Sequence, residues 1–430
     1  MIKALREQRL KVEYRMMMEK AHTVAKWSGA ALGFSIPVST ALDSVLRVFV
    51  LAFWVLGASY RKKWELIRGN PVAMLSLGMF GLLILGGLYS NASWSEVFKF
   101  LVKYSDLVLL ALLIPLFQDA QTRRNGLWAF FLTMGVTLLL SYLIGFGVLP
   151  GGGVFKGSAN DASVFKSHIT QSPLVALTAF AFATFARIAD TRRRRMIWIT
   201  LAAIAVHNVF FMVQGRTGYV IVGVLFVYFF VEWLGWKGFV VAIVGGTLLV
   251  VSAFFLSDVF HARFSRTEAE FSEWRSGQVV FRGVVKRIVF YQNSLAIVRD
   301  SPVFGVGTGG FAQTYAEKVK NSRFPPTSNP HNEYLLIAVQ LGLVGLVGLL
   351  YLFYTQWRLA ADLPGLFERN LARALLLTVM TTSLGSSALL DHSEGLFYAW
   401  MSALLFAGLN FRGEKIGKPP VPLFETAITK

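Results

Sequence analysis

A succession of apolar stretches, each near the length that crosses a bilayer, constrains this chain more than any other feature. A transmembrane helix needs about 20 mostly apolar residues. About a dozen such stretches occur, near 24–39, 40–59, 71–90, 100–118, 127–147, 168–189, 196–214, 217–235, 238–256, 331–356, 371–390 and 395–411. The first is short and meets the second at Pro37 with no polar break. It reads as a separate short span, with a single bent entry hairpin as the other reading. The expectation is an all-α polytopic membrane protein. Composition agrees: 15% of residues are charged and 55% hydrophobic, against roughly 25% and 45–50% in soluble domains. The absence of cysteine excludes disulfides, thiolate metal sites and a cysteine nucleophile.

Lys+Arg number 42 against 24 Asp+Glu, a net charge of +18. A basic excess fits either nucleic acid or a membrane, and its placement decides between them. With the first residue cytoplasmic, the basic segments 1–26, 60–70, 119–125, 187–195, 357–373 and 412–430, and Lys237, all fall inside. The short outer connections hold only Lys99, Lys103, Lys156, Lys166 and Arg216. The positive-inside rule is therefore obeyed at every turn, and the charge reads as a topology signal, not a nucleic-acid footprint. Both termini are expected in the cytoplasm. The first 22 residues are too charged for the apolar region of a signal peptide.

This reading divides the chain into a basic N-terminal segment (1–23), nine spans (24–256), an outer loop domain (257–330), three spans (331–411) and a basic tail (412–430). The 74-residue loop carries ten Lys/Arg and six Asp/Glu, and loops of such length are usually functional or disordered. Val284, Ile288, Tyr291, Leu295 and Val298 follow helical spacing. They predict an amphipathic helix over 282–299 at the membrane surface, stopped by Asp300-Ser301-Pro302. Gly305-Val306-Gly307-Thr308-Gly309-Gly310 fits G-x-G-x-x-G but lacks the strand–turn–helix context of a dinucleotide site, and reads as a flexible bend.

Several polar residues fall at the outer ends of these spans. In Asn329-Pro330-His331-Asn332-Glu333, Asn329 suits an N-cap and Pro330 the first helical position. His331 then lies in the first turn, where the helix dipole disfavours imidazolium. A neutral imidazole suits a general base; the alternative is an interfacial histidine that only packs. Arg216, between Gly215 and Gly218, is at an outer junction otherwise nearly free of arginine, where it binds a ligand or snorkels. Arg287 lies beside the apolar stripe of the loop helix, near headgroup level, with Arg263, Arg266, Arg282 and Lys286 as weaker candidates. Arg47 follows Asp43 by one turn, which gives either an i, i+4 ion pair or a phosphate contact. Asp391-His392-Ser393-Glu394 forms the last outer turn, able to orient a base or hold a sugar, or simply polar. His207 has no second histidine at metal spacing, and no metal or cofactor is expected.

Gln214-Gly215-Arg216, Arg287 leading into Asp300-Ser301-Pro302-Val303-Phe304-Gly305-Val306-Gly307, and Pro330-His331-Asn332-Glu333-Tyr334-Leu335 occur in that order. Together they resemble the O-antigen ligase / O-antigen polymerase superfamily of bacterial inner-membrane proteins. Gly33-Phe34-Ser35-Ile36-Pro37 and about twelve spans look like the ligase branch. The resemblance implies a metal-independent glycosyltransferase with a GT-C-like fold. Its donor would be a polysaccharide on undecaprenyl pyrophosphate, and its acceptor lipid A–core on the periplasmic side. It matches His331 to an essential histidine, Arg216 and Arg287 to essential arginines, and Asp391 to a recurrent acidic position that His392 or Glu394 could also fill. Arg47, Arg263 and Arg266 are further candidates for the pyrophosphate. The nearest rival is a polymerase with the same chemistry and another acceptor. A lipid-linked glycan transporter is a rival of another class, although no internal repeat is visible and the polar groups gather at one face.

Overall fold

The computed structural model describes residues 2–276, 281–409 and 422–424. Among them the chain is helical, with two isolated β-bridges, Gly152 with Phe155 and Ser158 with Asp161. Helix α1 (Ile2–Val38) runs unbroken through the basic segment and the first apolar stretch. Pro37 sits in its last turn, and Ser39 caps α2 (Thr40–Leu56) by accepting from Leu42 N–H. α3 (Tyr60–Arg68) turns 116° away from α2. α4 (Pro71–Leu88) is capped by Asn70, whose side-chain oxygen takes two orphan N–H groups, and Pro71 fills the first position, where an N–H is not needed. α5 (Trp94–Lys103) and α6 (Asp106–Leu113) break at Tyr104-Ser105. α7 (Ala120–Gly145) and α8 (His168–Ile188) follow, and most of α8 is buried inside the bundle.

α9 (Arg192–His207) passes into a π-helical turn at Asn208–Met212. α10 (Arg216–Leu234) and α11 (Trp236–Leu256) come next, and α11 exposes nearly all its apolar side chains, as a lipid-facing helix would. α12 (Asp258–Arg275), α13 (Gly283–Asp300) and α14 (Phe311–Val319) build the long segment before α15 (Glu333–Leu359). α16 (Leu366–Ser383) and α17 (His392–Phe406) complete the bundle. Trp400 of α17 is fully buried and donates its indole N–H to Gly29 O of α1 at 2.8 Å, tying the last helix to the first.

Among the described residues seven helices are long and apolar enough to cross a membrane, or eight if α2 and α3 form one bent span. They point to a multi-pass membrane protein. The count is below the twelve read from the sequence for identifiable reasons. The first apolar stretch is the end of the long, largely charged α1, α5 and α6 are short pieces, α16 carries Glu368, Arg369 and Arg373, and α17 has only 15 residues.

The predicted amphipathic helix over 282–299 is α13, but its buried face is Val285, Val289, Phe290 and Ile297. Leu295 of the expected stripe is exposed. The buried face is thus nearly opposite the expected stripe, because α13 packs on α15 between α12 and α14 and so buries a side the spacing alone did not select. The glycine-rich bend is tied by backbone hydrogen bonds to α4 and α15. Gly342 adopts φ +62° within α15, a left-handed conformation that breaks the helical ladder. The freed carbonyls of Val339 and Gln340 accept from Val306 N–H and Gly307 N–H, both at 2.9 Å. Leu343 N–H in turn reaches Pro302 O at 2.8 Å. Every group released by the kink that these bonds involve finds a partner, as buried backbone requires.

Candidate functional site

The turn that carries His331 is built by side chains pairing with backbone. α15 begins at Glu333, and its N-cap is Asn332, which accepts from Leu335 N–H at 3.0 Å. The expected Asn329–Pro330 cap is therefore displaced by three residues. Asn329 Oδ1 instead takes His331 N–H at 2.7 Å and the Ser387 hydroxyl at 2.7 Å. His331 stands just before the helix at φ +54°, a left-handed conformation that histidine tolerates better than most residues but that still carries strain. Its ring lies over Phe290 with centroids 6.1 Å apart. Burial lowers its pKa, Arg287 and Lys286 lower it further, and Asp391 opposes them. The imidazole is thus held neutral at pH 7 by burial and neighbouring cations, not by a place in the first helical turn.

The same turn is sewn to the loop that leads to Asp391. Asn332 Nδ2 donates to Leu384 O at 3.2 Å, and Tyr291 OH donates to Leu384 O at 2.6 Å and faces His331 O at 3.3 Å. Glu333 is fully buried; its Oε2 accepts Leu389 N–H at 2.9 Å and its Oε1 accepts the Tyr104 hydroxyl at 2.7 Å. Asp391 is steadied by the Ser386 hydroxyl at 2.9 Å. Sequence reasoning quoted Glu333 without giving it a part; its carboxylate in the first turn of an apolar helix was the available signal.

The arginines fall into groups. Arg287 lies against the backbone of Gly385: a Cβ there would stand 3.3 Å from Arg287 Nη1 and 3.9 Å from the Thr217 hydroxyl. Arg287 therefore joins the His331 turn to the start of α10, where Arg216 is the first residue. Arg216 faces Glu270 of α12 at 3.8 Å, and Glu270 also accepts Val284 N–H at 3.0 Å. Arg263 Nε donates to Gln214 O at 3.2 Å. Burial lowers the Arg263 pKa and the nearby Arg216 charge lowers it further, with Arg266 also contributing. Arg216, Arg263 and Arg266 thus form one cationic group.

Arg47 is placed elsewhere. It pairs with Asp106 at 3.0 Å and Ser105 at 3.1 Å, not with Asp43. Asp43 is fully buried and is met by the Ser35 hydroxyl at 2.6 Å, Lys166 at 3.4 Å and His392 at 3.8 Å. Lys166 also reaches Ser393 at 3.1 Å. Glu394 accepts from Thr170 of α8 at 2.7 Å. The expected i, i+4 pair gives way because both residues find partners on other helices. The start of α17 is the point where these networks meet. Among the described residues no three His, Asp or Glu side chains converge as metal ligands would.

Residues 201–350 match the family model described as O-Antigen ligase. The match spans about a third of the chain, which is similar to the O-antigen ligase family over that segment. The matched segment contains Arg216, Arg263, Arg266, Arg287 and His331; Arg47 and Asp391 lie outside it. No curated protein matches the chain. A solved structure described as "Structural coordination of polymerization and crosslinking by a peptidoglycan synthase complex" is similar at 17% identity and a TM-score of 0.47, over 80% of this chain and 98% of that one.

Proposed function

We propose that this chain belongs to the O-antigen ligase superfamily and is a ligase of the bacterial inner membrane. It transfers a polysaccharide from undecaprenyl pyrophosphate to a sugar hydroxyl of lipid A–core. The observation that carries the reading is the convergence of His331, Arg287 and the Arg216 end of α10, which sequence places 115 residues apart between Arg216 and His331. The site opens on the periplasmic side, segment 257–330 is the periplasmic loop domain, both termini are cytoplasmic, and the fold is of the GT-C-like kind.

In this mechanism His331 is the general base. It takes the proton of the acceptor hydroxyl as that oxygen attacks the anomeric carbon from the face opposite the phosphate. The bond between the anomeric carbon and the pyrophosphate oxygen breaks, configuration inverts, and undecaprenyl pyrophosphate leaves. A sugar hydroxyl is far too weak an acid to ionise unaided at pH 7, and general-base help of this kind is worth roughly 10²–10⁴ in rate. Arg287 and Arg216 bind the phosphates, each able to form paired hydrogen bonds, and offset the charge that grows on the leaving group. Arg263 and Arg266 strengthen the field around Arg216. Arg47, bound to Asp106, acts at the start of α17. Asp391 moderates the basicity of His331. Pyrophosphate is a good leaving group, so neither a strong acid nor a metal is required.

A reconstituted assay tests this. Purified chain is mixed with undecaprenyl-pyrophosphate-linked glycan and either lipid A–core or a second lipid-linked glycan, with EDTA present. Transfer to lipid A–core is expected. Elongation of the lipid-linked glycan would make the chain a polymerase with the same catalytic groups, and no transfer from folded protein would overturn the reading.

A further inference from the structure

An aspartate and a histidine that the sequence did not single out lie against the Arg216 end of the site. Asp161 Oδ2 meets His168 Nδ1 at 2.8 Å, while its Oδ1 accepts Gln214 N–H at 3.1 Å and faces the Ser163 hydroxyl at 3.1 Å. One carboxylate thus holds the imidazole and the backbone just before Arg216. Burial alone would raise the Asp161 pKa, but the bonds from His168 and Gln214 lower it below the ordinary value, so it is ionised. The histidine sits at the first position of α8, and α8 meets α10 at glycine distance: a Cβ on Gly215 would be 2.1 Å from Ser172 Oγ and 3.0 Å from His168 O. His168 remains 30% exposed, and its Nε2 bonds to no described residue. Three cations, Arg216, Arg263 and Arg266, share this corner with the acids Glu270 and Asp161.

We propose that His168, oriented by Asp161, is a substrate-contacting residue that binds the lipid-linked donor as an imidazolium, its Nδ1–H donating to Asp161 and its Nε2–H donating to the pyrophosphate oxygens beside Arg216. The proposal rests on the reading of this corner as the donor site. An imidazole fixed through Nδ1 by a carboxylate presents Nε2 in one direction, which is the usual way a histidine is aimed at a ligand. No group is transferred to it; it binds and orients.

The test is the binding of undecaprenyl pyrophosphate, without glycan, to the full-length chain in nanodiscs. Lipid A–core binding is measured alongside. The variants are His168→Ala, His168→Asn, His168→Gln, Arg216→Ala and His331→Ala. Asn can keep the Asp161 contact and lacks an atom at Nε2, whereas Gln can place an amide near Nε2. His168→Ala and His168→Asn should weaken binding by about tenfold, with His168→Gln retaining more. His331→Ala should bind as wild type does. If Asn is tolerated and Gln is not, the Asp161 contact alone matters and the proposal falls. A loss in Arg216→Ala without any loss in the His168 variants overturns the proposal and leaves the donor site standing. No loss in any variant overturns the donor site itself. A loss confined to lipid A–core overturns the donor assignment of His168.

Discussion

Tyr104 donates its hydroxyl to Glu333 at 2.7 Å, and both side chains are buried although 229 residues separate them. Glu333 also holds Leu389 N–H, so this pair fixes the His331 turn against the loop that carries Asp391. Tyr104→Phe leaves a buried carboxylate short of a donor, which costs about 1–3 kcal/mol. A fall in Tm together with a fall in kcat at little-changed KM is expected. A lower Tm with wild-type kcat would show that the pair supports the fold alone.

The pH dependence of transfer follows from the surroundings of His331. Burial and the adjacent Arg287 and Lys286 hold its pKa below 6.5, and Asp391 opposes them. A base must be neutral, so the rate should rise with pH through that lowered pKa and level off by pH 7. Asp391→Asn removes the opposing charge and should move the acid limb to lower pH. Arg287→Gln removes a cation and should move it higher, alongside its loss of donor binding. An acid limb that stays in place in both variants would contradict the electrostatic coupling.

Arg216 and Arg287 are expected to act through fork geometry as well as charge. Lysine keeps the charge and loses the paired contact. Arg287→Ala should lose about 2–4 kcal/mol of transition-state stabilisation, by analogy with oxyanion donors, and Arg287→Lys should recover only part of it. Steady-state transfer rates check this, and full recovery by lysine would remove the bidentate argument. EDTA should leave wild-type transfer unchanged.

Gly342 is a structural counterpart. Its φ of +62° and the approach of Val303 O, 2.2 Å from where a Cβ would stand, exclude a side chain without rearrangement. Gly342→Ala should destabilise by more than about 1 kcal/mol, read as a lower Tm. An unchanged Tm would mean that the kink is not needed to seat residues 302–310.

Much of this architecture was legible in the chain. Apolar runs of near-spanning length appear as helices, and α13 falls within one residue of its expected bounds. Arg216 and His331 stood out because polar groups at the ends of apolar segments are costly, and Arg287 because it flanks the apolar stripe of the loop helix. The face of α13 was missed because α12, α14 and α15 all pack on it, and the spacing of apolar residues within one helix does not say where its neighbours lie. The cap of α15 was missed because Asn329 and Asn332 are equally plausible caps by type, and only the tertiary contact of Asn329 with Ser387 separates them. The pairing of Arg47 with Asp106 and of Asp43 with Lys166 depends on long-range packing that local spacing cannot encode. Asp161 and His168 were not singled out, because only the fold brings the Gln214 backbone to the Asp161 carboxylate that holds His168.

The base assignment is tested most directly by measuring glycan transfer to lipid A–core by His331→Ala in nanodiscs, with undecaprenyl pyrophosphate binding measured on the same preparation. Loss of at least about a hundredfold in transfer with donor binding retained is the expected result. Transfer at the wild-type rate from this variant would contradict His331 as the general base.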